Sequence, residues 1–191
     1  MSGAVDAMSL EGERYSRVAM WLHWVIAALI VANLLLGFLR EDVPKPTAAS
    51  MMYYHKATGF AILALSLGRL AWRLTHRPPA FDPALARWEV TFARTAHWLF
   101  YVFMIVIPIT GWLVVSSGSG KPTDFFGLFM IPALPVSRAE DAHELWEEMH
   151  ELLAWGIIIL IALHVLGAAK HHLQGHRHLI GRMGPWLYRG R

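Results

Sequence analysis

Cysteine is absent from this 191-residue chain. Its absence excludes a disulfide framework, a thiolate metal site, an iron–sulfur cluster and covalent c-type haem attachment. Any cofactor must therefore be held by His, Met, carboxylate or backbone. Charge is also scarce: 16% of residues are charged and 55% hydrophobic. An ordinary soluble domain is about 25% charged. No fixed-period repeat and no low-complexity stretch occurs, and the length allows one domain, taken as 1–191. Met1 to Arg17 carries both charge signs and lacks the short apolar core and small-residue cleavage site of a secretory signal. The first apolar run is expected to stay in the mature protein.

What is abundant is equally directive. Nine Trp, nine Phe and five Tyr suit membrane–water interfaces, and eleven His make histidine the natural cofactor ligand. The pI near 9.4 could signal nucleic acid. However, the basic residues fall in short clusters between apolar runs, as topology signals do, so nucleic acid is set aside.

Crossing the bilayer core takes about 20 mostly apolar residues. Four stretches qualify: about 18–39, 54–74, 96–115 and 146–169. The reading is an all-α integral membrane four-helix bundle. Pro108 should kink the third span. Ser137 with Glu140 reads as a capping box opening the fourth helix. The connection from Ser116 to Val136, with Phe125, Phe126, Phe129 and Met130, should lie on the membrane surface or fold over the helix ends.

Four spans place both termini and the second-to-third connection on one side. That side holds Arg14, Arg17, Arg69, Arg73, Arg77, Arg87, Arg94, Lys170, Arg177, Arg182, Arg189 and Arg191. The other holds Arg40, Lys45, Lys56, Lys121 and Arg138. The positive-inside rule then makes both termini cytoplasmic. The outer side is acidic, with Glu41, Asp42, Asp124, Glu140, Asp141, Glu144, Glu147, Glu148 and Glu151.

Ionisable side chains in membrane spans are costly and usually face a bundle interior or cofactor. Every span here carries histidine. His23 and His97 lie near the inner ends of the first and third spans, and His55 near the outer end of the second. The fourth span carries His150 outside and His164 inside. Fourteen residues bring the two to within roughly 40° on the helix and separate them by about 21 Å. His143 and His171 continue the stripe at spacings of seven. By depth, His150 can meet only His55, whereas His164 can meet His23 or His97. Two bis-histidine sites stacked across the bilayer follow.

Paired imidazoles without carboxylate or thiolate suit haem iron, whereas structural zinc wants four ligands. A single histidine at a helix end is usually interfacial; four at matched depths are harder to explain that way. Gly59, Gly68, Gly111, Gly156 and Gly167 leave room for a macrocycle, or serve close helix packing. Arg69, fourteen residues after His55, can pair with an inner haem propionate or snorkel as a topology arginine. The different-class alternative is a haem-free, histidine-rich metal-binding membrane protein or transporter. Such proteins add midplane carboxylates, but these span centres are apolar, with Asn33 the main polar exception.

The chain resembles the prokaryotic cytochrome b561 family of four-helix dihaem membrane cytochromes. The matching segments are Arg14-Tyr-Ser-Arg17, Trp21-Leu-His23-Trp24, Tyr54-His55-Lys56 with Arg69, Ala96-His97-Trp98 and Pro108-Ile-Thr-Gly111. Met149-His150-Glu151 and Leu163-His164-Val165 with His171-His172 complete them, from Arg14 to Trp186. The resemblance implies a bacterial inner-membrane, multi-pass protein binding two haem b. His23 and His164 would hold the inner haem, and His55 and His150 the outer. It also implies a quinone partner, with His97 lining a quinone pocket near the inner haem.

The implied role is electron transfer between the quinone pool and a periplasmic donor or acceptor. One branch of the family resembles superoxide:ubiquinone oxidoreductases, which makes superoxide oxidase the alternative. Lys56, Lys121 and Arg138 would then form a local positive patch, against an outer side that is acidic as a whole.

Overall fold

The computed structural model describes residues 14–81, 83, 85–174 and 181–184. The N-terminal stretch 1–13 and Arg177, Trp186, Arg189 and Arg191 lie outside the described residues. Four long helices dominate: α1 (Arg17–Phe38), α2 (Lys45–Thr75), α3 (Arg87–Gly118) and α4 (Glu140–Leu173). A 3-10 turn over Leu39–Asp42 follows α1, and strands β1 (Thr123–Phe125) and β2 (Phe129–Ile131) lie between α3 and α4.

Local chemistry sets the boundaries. The Ser16 hydroxyl accepts from the Ala19 amide and opens α1. Pro46 in the first turn of α2 loses no helical hydrogen bond, and α2 stops before Pro78-Pro79, which disfavour helix in the preceding residue. At the start of α3, Glu89 Oε2 accepts the Ala86 amide. At its end, Gly120 takes φ 61° and donates its amide to the Val115 carbonyl, a left-handed stop that suits glycine.

The Ser137–Glu140 capping box does not form. Ala139 caps α4, and the Ser137 hydroxyl accepts instead from the Ala139 amide at 3.3 Å. The neighbouring Arg138 is the reason: its Nη2 donates to the carbonyls of Ser119 (2.9 Å) and Gly118 (3.4 Å). That tether draws the chain to the end of α3 and holds it out of the helix. A cation at a helix C-terminus is favourable, and Glu140 and Asp141 at the N-terminus of α4 are the complement.

Among the described residues, three helical stretches are long and apolar enough to cross a membrane: Arg17–Asp42, Arg87–Gly118 and Glu140–Leu173. α2 falls short because Tyr53, Tyr54, His55 and Lys56 precede its apolar middle while Arg69 and Arg73 follow it. Large apolar side chains cover the outside of the helices, Leu152 being 67% and Ile159 59% exposed. Lipid tails accept such a surface without cost, so it needs no second layer of protein.

α1 packs on α2, α2 on α3, and α3 on α4. The α1–α4 edge is looser and leaves an apolar cleft of about 290 Å³ between Val31, Leu34, Leu35 and Phe38 and the facing Ile158 and Ile161. The buried core is short: Ile26, Ile30, Ile62, Tyr101, Met104 and Ile157. In each helix these residues fall between the positions of the two histidine levels.

The long connection from Ser116 to Val136 folds over the helix ends, one of the two arrangements expected. A type I′-like turn through Phe126 (φ 53°) and Gly127 (φ 75°) joins β1 to β2. The Asp124 carboxylate accepts from the Gly127 amide at 2.8 Å. Trp112 donates to the Pro132 carbonyl and Ser116 accepts from the Leu134 amide. At the opposite end Tyr15 donates to the Arg182 carbonyl, Trp72 to the Ser16 hydroxyl and Arg182 to the Ala80 carbonyl. The described parts of both terminal segments and the α2–α3 connection thus meet at one end of the bundle.

Candidate functional site

His23, His55, His97, His150 and His164 assemble at two levels. At one, His55 of α2 and His150 of α4 have ring centres 6.1 Å apart at an interplanar angle of 84°. At the other, His164 of α4 is 6.3 Å from His23 of α1 and 6.1 Å from His97 of α3. A metal–imidazole bond is about 2.0–2.1 Å, so two rings sharing one metal through Nε2 have centres roughly 6.3 Å apart. Both levels therefore have the spacing of a shared iron. At the His164 level, ring spacing alone does not separate His23 from His97.

The His55–His150 level is built by one local device used twice. His55 Nδ1 lies 3.0 Å from the Asn33 carbonyl, and His150 Nδ1 lies 3.0 Å from the Ile107 carbonyl. Four residues beyond each carbonyl stands a glycine, Gly37 on α1 and Gly111 on α3. A Cβ on Gly37 would come within 3.1 Å of His55 Cε1, and one on Gly111 within 3.0 Å of His150 Cε1. A helical Cβ leans back over the preceding turn, so glycine uncovers the carbonyl behind it. A carbonyl only accepts; each Nδ1 must carry the hydrogen and each Nε2 is left as an electron-pair donor.

This device sorts the glycines expected to make room. Gly111 faces a histidine, Gly156 faces the Phe103 ring at 3.1 Å, and Gly59 meets only the Asn33 side chain at 3.9 Å. Gly68 and Gly167 face open space. Gly37 was missed in the sequence, although glycine four residues after Asn33 is the same signal as glycine four after Ile107. His23, His97 and His164 make no comparable bond to another described residue. Asn33 serves through its backbone; its buried Oδ1 has no partner among the described residues.

An arginine attends each level. Arg69 lies within electrostatic reach of His23, His97 and His164, with its guanidinium 5.7 Å from the Tyr101 ring centre. Arg40, which sequence reasoning counted only toward topology, reaches both His55 and His150. It stands three residues after Gly37, one turn further out on the same face. The expected patch of Lys56, Lys121 and Arg138 changes accordingly. Lys56 is within reach of His55, but Arg138 is taken up by the α3 terminus.

α3 and α4 run antiparallel, and three of their contacts fall on steps of seven: His97 meets His164, Gly111 meets His150 and Gly118 meets His143, while Phe103 meets Gly156 between them. The stripe of histidines on α4 is answered by glycine at its two outer steps and by histidine at its inner step. Among the described residues no group of three or more His, Cys, Asp and Glu could hold a bare metal ion. The donor set instead suits a macrocycle that brings its own four nitrogens and takes two imidazoles.

Residues 14–186 match the family described as prokaryotic cytochrome b561. The chain belongs to that family. It is therefore a membrane haem b electron carrier. It is 28% identical over 170 residues to cytochrome b561 homolog 2 of Escherichia coli K12, covering 84% of this chain and 85% of the relative. It is 28% identical over 173 residues to a probable superoxide oxidase CybB of Yersinia pestis, covering 91% and 97%. A probable Ni/Fe-hydrogenase B-type cytochrome subunit of Bradyrhizobium diazoefficiens is 23% identical over 203 residues, covering 84% and 79%.

Proposed function

We propose that this cytochrome carries electrons across a bacterial inner membrane between the quinone pool and a periplasmic partner, as one four-span domain with both termini cytoplasmic. His55 and His150 hold an outer haem b, and His23 and His164 an inner one. The observation that carries this reading is the 6.1 and 6.3 Å spacing of the two ring pairs, with His55 and His150 each anchored through Nδ1 to a backbone carbonyl. Haem held this way supplies reversible one-electron chemistry with no open iron position.

The remaining residues divide the other tasks. Arg69 and Arg40 offer a cation to the propionates of the inner and outer group, respectively. The apolar core from Ile26 to Ile157 keeps water out between the two levels. His97, 6.1 Å from His164, contacts the quinone headgroup near the inner level in this reading. In this orientation the end where Tyr15, Ala80 and Arg182 meet is cytoplasmic, and the hairpin end periplasmic.

A second reading is superoxide oxidation at the outer level. It is favoured by Arg40 and Lys56, both within electrostatic reach of His55, and by similarity to a probable superoxide oxidase. Rapid mixing of the oxidised protein with superoxide and with quinol, compared side by side, tests both. Reduction by quinol alone supports the quinone-linked carrier, and fast reduction by superoxide supports the second reading. Purified protein without reducible Soret and α bands would overturn both.

A further inference from the structure

The hydroxyl of Thr110 closes the back of the His150 site. Its Oγ is 3.1 Å from His150 Nδ1 and 2.9 Å from the Ile107 carbonyl oxygen, while Nδ1 is 3.0 Å from the same oxygen. That carbonyl receives two hydrogens, one from the hydroxyl and one from Nδ1. The hydroxyl lone pair then faces Nδ1–H, which is shared between two acceptors. Thr110 is only 4% exposed, so water does not compete for this contact. Beside it, Gly111 leaves the space into which the Cε1–Nδ1 edge of the ring fits.

We propose that Thr110 is a positioning residue for the outer haem: with the tautomer of His150 set by the Ile107 carbonyl, its hydroxyl fixes the ring plane as a second acceptor and raises electron density at Nε2. This rests on His150 being an iron ligand, as in the function proposed above. A hydrogen-bond acceptor on the far nitrogen makes a ligating imidazole more basic and fixes its orientation. The hydroxyl comes from the Pro108-Ile-Thr-Gly111 segment, so the same few residues supply the acceptor carbonyl, the second acceptor and the gap for the ring.

The bundle contains its own control. One heptad outward, Ser117 Oγ is 3.1 Å from His143 Nδ1 and donates to the Leu113 carbonyl at 2.8 Å. A Cβ on Gly118 would meet His143 Cε1 at 2.8 Å. The hydroxyl–glycine arrangement is thus repeated, yet among the described residues no second imidazole pairs with His143. A purely structural hydroxyl should act alike at both places; a positioning hydroxyl should act on the haem only at Thr110.

The test uses the full-length haem-loaded protein and reads low-spin electron paramagnetic resonance and a redox titration of each haem. Thr110→Val should keep both haems, shift the largest g value of one and raise its midpoint potential, because Nε2 donates less. The other haem should not move. Thr110→Ser should restore both values, and Ser117→Val should change neither. Should the valine variant not fold, Thr110→Ala removes the same hydroxyl. An unchanged signal, a fall in potential, an equal shift of both haems, or the same shift in Ser117→Val would overturn the proposal. His150→Ala separates the two levels of inference. If it retains both haems, the ligand assignment fails; if it loses one while Thr110→Val changes nothing, only the positioning role fails.

Discussion

The ring of His150 lies against the backbone of Gly111, where a Cβ would stand 3.0 Å from its Cε1. Gly37 has the same relation to His55 at 3.1 Å. At such distances the ring has to give by a few tenths of an ångström, which strains the bond from Nδ1 to the carbonyl behind it. Gly111→Ala and Gly37→Ala should each sharply reduce the outer haem and leave the inner one in place. A haem-to-protein ratio from the pyridine haemochrome spectrum checks this, with Gly68→Ala, which faces open space, as the silent control.

The inner level offers His164 two partners at nearly equal distance, His23 and His97. Removing a ligand costs the haem, whereas removing a neighbour does not. His23→Ala should therefore lose the inner haem and keep the outer. His97→Ala should keep both and slow electron exchange with quinol. Reduced-minus-oxidised spectra and stopped-flow traces of the two variants read these outcomes, and the reverse pattern would move the ligand from α1 to α3.

Arg138 and Arg40 differ in what they touch, and the superoxide reading predicts different effects for the two. Arg138 bonds the last carbonyls of α3, so Arg138→Ala should lower stability by about 0.3–1 kcal/mol, the usual worth of a cation at a helix C-terminus. A thermal melt measures it. The rate of reduction by superoxide should not change. Arg40→Gln, near both outer histidines, should leave the fold intact and slow that rate, with a weaker dependence on salt.

Lys170 ties the inner ends of α3 and α4. Its Nζ is 2.7 Å from Glu89 Oε1 and 4.9 Å from the Trp88 ring centre. Lys170→Met should lower the melting temperature slightly, and high salt should shrink the difference between the two proteins, because screening weakens exposed ion pairs. Haem content should be unaffected; a lost inner haem would show that this clasp shapes the site.

Long apolar runs and scarce charge were enough to read helices and a membrane from the sequence, and the spacing of fourteen put His150 and His164 at two depths of one helix. They suffice because hydrophobic length and helical period act along one chain. Partner choice is a relation between helices. Whether Ser137 or Ala139 caps α4 depended on Arg138 reaching the end of α3, which no local rule contains. α2 differs from the other three helices because its charged flanks are part of the same helix.

Composition and a fixed rise per residue were enough for the element types and for the two depths at which histidines occur. The packing of the helices chose which backbone carbonyls hold His55 and His150 and set Gly37 and Gly111 beside them. It also brought Arg40 to the outer pair and left His23 and His97 side by side at His164. The reason is physical: hydrogen bonds and ring contacts are made across helices, and their register comes from packing rather than from any one segment.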